Sequence, residues 1–392
     1  MIFLCAFGLA TLAVLALTPA VRTLATRLRF LDYPSHKKIH LTPTPLMGGI
    51  AVALASLAAA AAALALIRCP YSARIVGFLS GGLMVVVLGL ADDANGMRPR
   101  VKLAGQTAAA AVMLLSGGVE GLPLPLPIAI PLALFWMVGL MNAFNFLDNM
   151  DGITSGLAAI ATFGIFALAL GNDNMYIAIA AISVAGGALG FLRYNFAPAS
   201  IFLGDAGSLF LGYVVGGLSL RAVAYAGAGS SSLLIPVLML GYPIFDALLV
   251  TVARLRDGRR LSQGGRDHSS HRLASLGLSA RQTAATIYVI SGALTGAAIY
   301  LARAGARHPG LAVATMIAAT GGMLLLGLRL LRVPVDVRPA EAPAAPGPER
   351  LEAGVASAGD LLVFRFADDD LESDEPEVGP STEPSRETIE VR

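Results

Sequence analysis

The sequence predicts an all-α, polytopic integral membrane protein of about eleven transmembrane helices, with its amino end outside and its carboxyl end in the cytoplasm. Three observations predict this. Of the 392 residues, 56% are hydrophobic and only 14% charged, and the mean hydropathy is +0.71. Soluble domains carry about 25% charge and could not cover this much apolar surface. Apolar runs of spanning length recur with short breaks, and Lys and Arg gather in alternate breaks. The net charge of +2 averages a basic membrane portion with an acidic end.

Spans are expected near 2–20, 46–67, 75–91, 103–119, 127–143, 153–170, 175–192, 206–223, 232–252, 283–302 and 309–331. The first run has no basic segment before it and Arg22, Arg27 and Arg29 after it, so it reads as an uncleaved helix. The run Ala58–Ala63 is helical filler. Gly212 and Gly216 have the spacing that lets two helices approach closely. Cys5 and Cys69 are in neither a metal nor a redox spacing and read as packed thiols.

Counting from an outside amino end, the cytoplasmic breaks hold Arg22, Arg27, Arg29, Lys37 and Lys38, then Arg98, Arg100 and Lys102, then Arg193. They continue with Arg254, Arg256, Arg259, Arg260, Arg266, Arg272 and Arg281, and with Arg329, Arg332 and Arg338. The outside breaks hold only Arg68, Arg74, Arg221, Arg303 and Arg307. Positive-inside bias therefore sets the orientation of a multi-pass protein of the cytoplasmic (inner) membrane. The membrane domain is 1–332. Residues 333–392 form an acidic tail rich in Pro, Ala and Glu whose composition suits disorder, with one apolar island at Asp360–Phe366.

Against this background three carboxylate clusters stand out, all at cytoplasmic helix ends, where acids near hydrocarbon are costly and default to function. Asp92-Asp93 closes the third span. It reads either as a solvated end, although acids there oppose the helix dipole, or as a Mg²⁺ or proton-transfer site with Lys102 holding phosphate. Lys102 and Gln106 lie one turn apart on one face. Asn142, Asn145, Asp148 and Asp151 repeat every three residues before Gly152, either as Asx turns of a polar loop or as a ligand-binding face. Gly152 permits unusual backbone angles and close approach of a ligand. Asp205, in the unit Asn195–Ser208, reads either as a helix N-cap or as a Mg²⁺ ligand beside a helix end that attracts phosphate. A fourth site, Gly264–Leu273, holds His268 and His271 flanked by Arg266 and Arg272, an anion-binding surface with no ligand set for zinc. Lys38 and His40 belong to a further basic patch that suits headgroups as well as substrate.

Taken in order, the motifs at His40/Gly48-Gly49, Asp92-Asp93, Asn142–Gly152, Asn195–Ser208 and His268–Arg272 resemble the polyprenyl-phosphate N-acetylhexosamine-1-phosphate transferase family, glycosyltransferase family 4, over about residues 30–330. The resemblance implies that a polyprenyl (undecaprenyl) phosphate attacks the β-phosphorus of a UDP-N-acetylamino sugar, giving polyprenyl-diphospho-sugar and UMP with Mg²⁺, or Mn²⁺ in its place. It implies Asp205 as the principal metal ligand, with Asp93 and Asn145 beside it. Asp92, Asp93, Lys102, Asp148, His268 and His271 are the implied catalytic group. Asn145, Asn149, Met150, Asp151, Asn195, Phe202, Lys38, His40, Arg266 and Arg272 are the implied substrate contacts.

Two departures refine the expectation. The family's Asp-Gly-hydrophobic-Asp-Gly is Asp148-Asn149-Met150-Asp151-Gly152 here, and the His loop reads His268-Ser-Ser-His271 without three consecutive His. The pattern is closer to enzymes that prime O-antigen, teichoic-acid or other surface glycans, which favours UDP-GlcNAc or a related UDP-amino sugar over the pentapeptide substrate of phospho-N-acetylmuramoyl-pentapeptide transferase. A transporter would carry its ionisable groups near the midplane, and here only Asp246 does. An inactive scaffold would not need the intact carboxylate set. The expected partners are the two substrates and the bilayer, with no nucleic acid, and a homodimer is compatible with the sequence.

Overall fold

The computed structural model describes residues 1–33, 42–69, 72–119, 122–171, 174–225, 230–260, 265–304 and 307–334. Lys38, His40 and the tail from residue 335 lie outside the described residues.

The chain runs through α1 (Ile2–Arg27), a short antiparallel pairing of β1 (Leu31–Asp32) with β2 (Thr44–Pro45), then α2 (Gly48–Leu66) and α3 (Ala73–Asn95). Next come α4 (Pro99–Met113) with a π turn at Leu114–Gly118, α5 (Leu126–Leu147), α6 (Ile153–Gly171), α7 (Met175–Asn195) and α8 (Gly204–Tyr225). The last elements are α9 (Leu234–Met239), α10 (Gly241–Arg256), α11 (Ser269–Ser275), α12 (Ala280–Ala304) and α13 (Pro309–Leu330). Among the described residues, nine helices are long and apolar enough to cross a membrane. The two other expected spans are the shorter α4 and a run broken at Leu240 into α9 and α10. Two further features are unexpected from periodicity: α11, whose seven residues are too few to give an apolar repeat, and the extension of α3 through Asp92-Asp93 to Asn95.

α8 is the axis of the bundle. Of its spanning window 94% is enclosed by protein, against 6% for α13. Glycines let its neighbours reach it. A Cβ on Gly212 would lie 2.6 Å from Met141 Cα, and one on Gly49 would lie 2.2 Å from Gly207 Cα. Gly212 and Gly216 thus face α5, the close approach their spacing predicts. At the other junction the backbone joins the elements: Phe202 N–H donates to Pro45 C=O, and Gly48 and Gly49 N–H donate to Phe202 and Leu203 C=O. The start of α2 is thereby fixed beside the start of α8, and α3 ends against the same point.

Candidate active site

The end of the bundle where α3 stops and α8 starts gathers the polar residues. α8 begins at Gly204, whose φ of +72° lets the chain turn into the helix. Its orphan N–H groups are met by Asp93 of α3: one carboxylate oxygen accepts Asp205 N–H at 2.9 Å and the other accepts Ala206 N–H at 3.2 Å. This corrects one expectation and adds to another. Asp205 is not the cap of its own helix, and Asp93, expected beside the metal, has both oxygens met by backbone N–H groups and so holds the start of α8 in place. The charge that opposes the α3 dipole is stabilised by the positive end of α8.

Freed from capping, Asp205 faces a polar cradle. Asn145 Nδ2 on α5 donates to Asp205 Oδ1 at 2.7 Å and to Ser208 Oγ at 3.0 Å. Lys102 on α4 donates to Asp205 Oδ2, to Asn145 Oδ1 at 3.2 Å and pairs with Asp92 Oδ2 at 2.7 Å. The other Asp92 oxygen accepts Met97 N–H at 2.6 Å, closing the turn between α3 and α4. One turn along α4, Gln106 and Asn142 exchange amide bonds, the shorter at 2.8 Å. Lys102 with Gln106 therefore packs against Asn145 with Asn142 as two successive rungs between α4 and α5.

The three-residue repeat does not continue as one face. α5 ends at Leu147, so Asn142 and Asn145 face the cradle while Asp148, Asn149 and Asp151 sit on the turn that follows. Asp148 lies close enough to Asp205, Asp93 and Asp151 to feel their charge. Burial first, and then those carboxylates, push its carboxyl up to about 8. Asp151 accepts Ala199 N–H at 2.8 Å and so ties the α5–α6 turn to the loop before α8.

Several expected substrate contacts have structural roles instead. Met150 is buried in the apolar core, and buried Asn195 bonds Ser155 and Ile201 C=O. Asn149 is engaged by Phe146 C=O and by Ser270 Oγ at 2.6 Å, joining its turn to α11. Phe202 contributes backbone bonds to the α2 start and keeps its ring half-buried. Arg272 is buried and donates to Asp267, Leu330 and Val333 C=O, so it fastens α11 to the end of α13. At Gly152, φ is +78°, and Phe196 and Tyr288 are its close neighbours, the Tyr288 hydroxyl donating to Gly152 C=O at 2.6 Å. Arg266 is half-buried and close enough to His271 to act on it by charge.

The two histidines are not solvated loop residues. His268 is the N-cap position of α11, and its Nδ1 meets Asp246 Oδ2 at 2.8 Å. The other Asp246 oxygen accepts Ser269 N–H at 2.7 Å and Ser269 Oγ–H at 2.5 Å, while Tyr242 and Ser269 hydroxyls bond at 2.8 Å. Asp246 is fully buried, and its lone charge within an apolar run was the available signal for a partner one loop later. With Nδ1 held by the carboxylate, His268 turns Nε2 away from it, beside Phe146 and His271. Asp267 meets Arg254 through two bonds of 2.9 and 3.2 Å and Arg259 at 3.0 Å. Burial alone would raise its carboxyl, but the hydrogen bonds and charge of Arg254 hold it below the usual range. Burial, then the charges of His268 and Arg266, lower His271 to about 4, so it is neutral at pH 7.

No three His, Cys, Asp or Glu side chains converge as a metal cage among the described residues. Asp92, Asp205 and Asn145 nevertheless present three oxygens to one cation, the Lys102 ammonium. Hard oxygen ligands few enough to leave room for waters and phosphate suit Mg²⁺.

This assembly of helix ends, with acids, amides and a lysine at one point and a carboxylate-oriented histidine nearby, has the chemistry that suits phosphate-bearing substrates at one end of a bundle of long apolar helices. The chain matches the glycosyl transferase family 4 model over residues 75–223. It is 34% identical over 306 residues to a probable undecaprenyl-phosphate N-acetylglucosaminyl 1-phosphate transferase of Bacillus subtilis, a match covering 76% of this chain and 84% of that protein. It is 36% identical over 305 residues to the decaprenyl-phosphate N-acetylglucosaminephosphotransferase of Mycobacterium tuberculosis, covering 69% and 76%. A phospho-N-acetylmuramoyl-pentapeptide-transferase of Desulforudis audaxviator is 35% identical over a shorter 259 residues, covering 56% and 75%. The chain belongs to glycosyl transferase family 4, the polyprenyl-phosphate N-acetylhexosamine-1-phosphate transferases.

Proposed function

We propose that this protein transfers N-acetylglucosamine 1-phosphate from UDP-GlcNAc to a polyprenyl phosphate at the cytoplasmic face of the inner membrane, releasing UMP. The observation that carries the reading is the meeting of Asp92, Lys102, Asn145 and Asp205, from four helices, at one end of the bundle. The longer matches to the N-acetylglucosamine enzymes favour that sugar over the pentapeptide substrate. The basic breaks at the same end support a cytoplasmic site.

Phosphoryl transfer needs alignment and charge neutralisation more than covalent help from the protein. The lipid phosphate, with a second pKa of about 6, is largely dianionic at neutral pH and attacks without prior removal of a proton. Bound between Asp205, Asp92 and Asn145, Mg²⁺ would offset the charge that accumulates on the bridging oxygens. Lys102 adds a point charge for phosphate. His268, oriented by Asp246, faces the diphosphate or sugar. Asp93 keeps the α8 end, and with it Asp205, in place.

The test is UMP release by the purified full chain with undecaprenyl phosphate and a panel of UDP-sugars. UMP with UDP-GlcNAc, lost with EDTA and in Asp205→Ala, supports the reading. Turnover of the UDP-N-acetylmuramoyl-pentapeptide alone, or full activity in Asp205→Ala, overturns it.

A further inference from the structure

Lys102 stands where a cation belongs. Its ammonium meets oxygens from three other helices, Asp92 Oδ2 at 2.7 Å, Asn145 Oδ1 at 3.2 Å and Asp205 Oδ2. An ammonium has three N–H donors and no acceptor, so these three oxygens satisfy it. A divalent cation would need the same oxygens at about 2.0–2.1 Å, which leaves no space for a nitrogen among them. Without a positive charge at this point the two carboxylates would repel one another in a partly desolvated pocket, where such repulsion is weakly screened. The lysine side chain remains about one-sixth exposed (17%), and its four-carbon stem gives it an exit path.

We propose that Lys102 is a tethered counter-ion. It holds the metal-binding oxygens together in the metal-free enzyme, competes with the divalent cation for them, and is displaced toward substrate phosphate when that cation binds. The inference rests on the metal-dependent transfer proposed above and deepens it, since it makes cation binding the event that releases the phosphate-binding charge.

A distinctive sign follows. A lysine that only contacts phosphate leaves metal affinity unchanged on removal, and one that only builds the metal site weakens it. A competing lysine strengthens it. Mn²⁺ titration of the detergent-solubilised full chain, followed by electron paramagnetic resonance with no sugar nucleotide or lipid substrate present, separates these cases. Lys102→Met is expected to bind Mn²⁺ at least about ten-fold more tightly than wild type. Lys102→Arg, which keeps the charge, is expected to show no gain. Without metal the unfolding midpoint of Lys102→Met should fall below wild type, and Mg²⁺ should close the gap. Lys102→Gln, which keeps a polar tip, repeats the comparison in a milder variant.

Equal or weaker Mn²⁺ binding by folded Lys102→Met and Lys102→Gln overturns the exchange while leaving the transfer reaction standing. Absence of Mn²⁺ binding in wild type and variants alike overturns both the exchange and the metal assignment.

Discussion

Asp93 caps a helix that begins more than a hundred residues later, accepting Asp205 N–H at 2.9 Å and, through its second oxygen, Ala206 N–H. One carboxylate thereby decides where another one points. Removing the cap leaves buried N–H groups unsatisfied, at a cost of about 1–3 kcal/mol. Asp93→Ala is therefore expected to lower the unfolding midpoint as well as activity, whereas Asp205→Ala should remove activity with the midpoint unchanged or raised. Thermal unfolding by near-UV circular dichroism, run beside the UMP assay, distinguishes them. Equal midpoints for Asp93→Ala and wild type would refute the capping role.

Asp246 acts through His268. Asp246→Asn keeps the size of the side chain but replaces one acceptor by a donor, so His268 loses the bond that sets its tautomer and direction. Activity is expected to fall by about 10–100-fold in kcat, the range for losing the partner that orients a functional histidine, with little change in KM for the sugar nucleotide. A change confined to KM would instead mark Asp246 as part of substrate binding.

Asp148 makes stability pH-dependent. Its carboxyl is raised to about 8 in the fold from an ordinary value near 3.8. Between those values the folded state holds a proton that the unfolded chain has lost, so this group's contribution declines as pH rises from about 4 through 8. Asp148→Asn, which mimics the neutral acid, should have a higher unfolding midpoint than wild type at pH 8 and a similar one at pH 4, measured without divalent cations. An Asn variant less stable at both pH values would show that the charged form is the one the fold favours.

His271 gives the opposite slope. Its value of about 4, against an ordinary 6.5, means that the unfolded chain binds a proton between those limits and the folded chain does not. Stability from this group is thus complete above pH 6.5 and declines as pH falls toward 4. His271→Gln should flatten the change of midpoint between pH 6.5 and 4, an outcome that differential scanning fluorimetry reads directly.

The α5–α8 contact tolerates one methyl group and not the other. A Cβ on Gly212 meets Met141 Cα at 2.6 Å and Leu140 C=O at 2.7 Å, all backbone, while one on Gly216 meets the flexible Met137 side chain at its sulfur, 3.2 Å away. Gly212→Ala should destabilise by about 1–3 kcal/mol, as overpacking does, and Gly216→Ala by less. Equal midpoints for the two variants would mean that the helices separate easily.

The fold class was legible because its determinants are local. Length, hydropathy and charge bias act on each run separately, and most expected spans fall on the observed helices within a few residues, while α1 runs on through Arg27 and the fourth ends in a π turn. Where prediction and structure part, a break made the difference: Leu240 divides α9 from α10, and α11 is too short to present a period. The cradle was half legible. Carboxylates and amides at helix ends pointed to Asp92, Lys102, Asn145 and Asp205, and the rung of Lys102 and Gln106 followed from their one-turn spacing. The packing of Met150 in the core and the bonds of Asn195 and Arg272 to carbonyls elsewhere in the chain were not legible, since a polar or soft side chain in a motif looks the same whatever it faces.

By itself the sequence determined that the chain is a bundle of apolar helices with its chemistry at one set of ends, because hydrophobicity and charge are properties of single residues and short runs. Only the tertiary structure decided which acid is a cap and which faces the Lys102 ammonium, and which histidine is oriented by a buried carboxylate. Those roles depend on which hydrogen-bond partners arrive from elsewhere in the chain: both Asp93 oxygens meet backbone N–H groups of α8, whereas the Asp205 oxygens meet an amide and an ammonium.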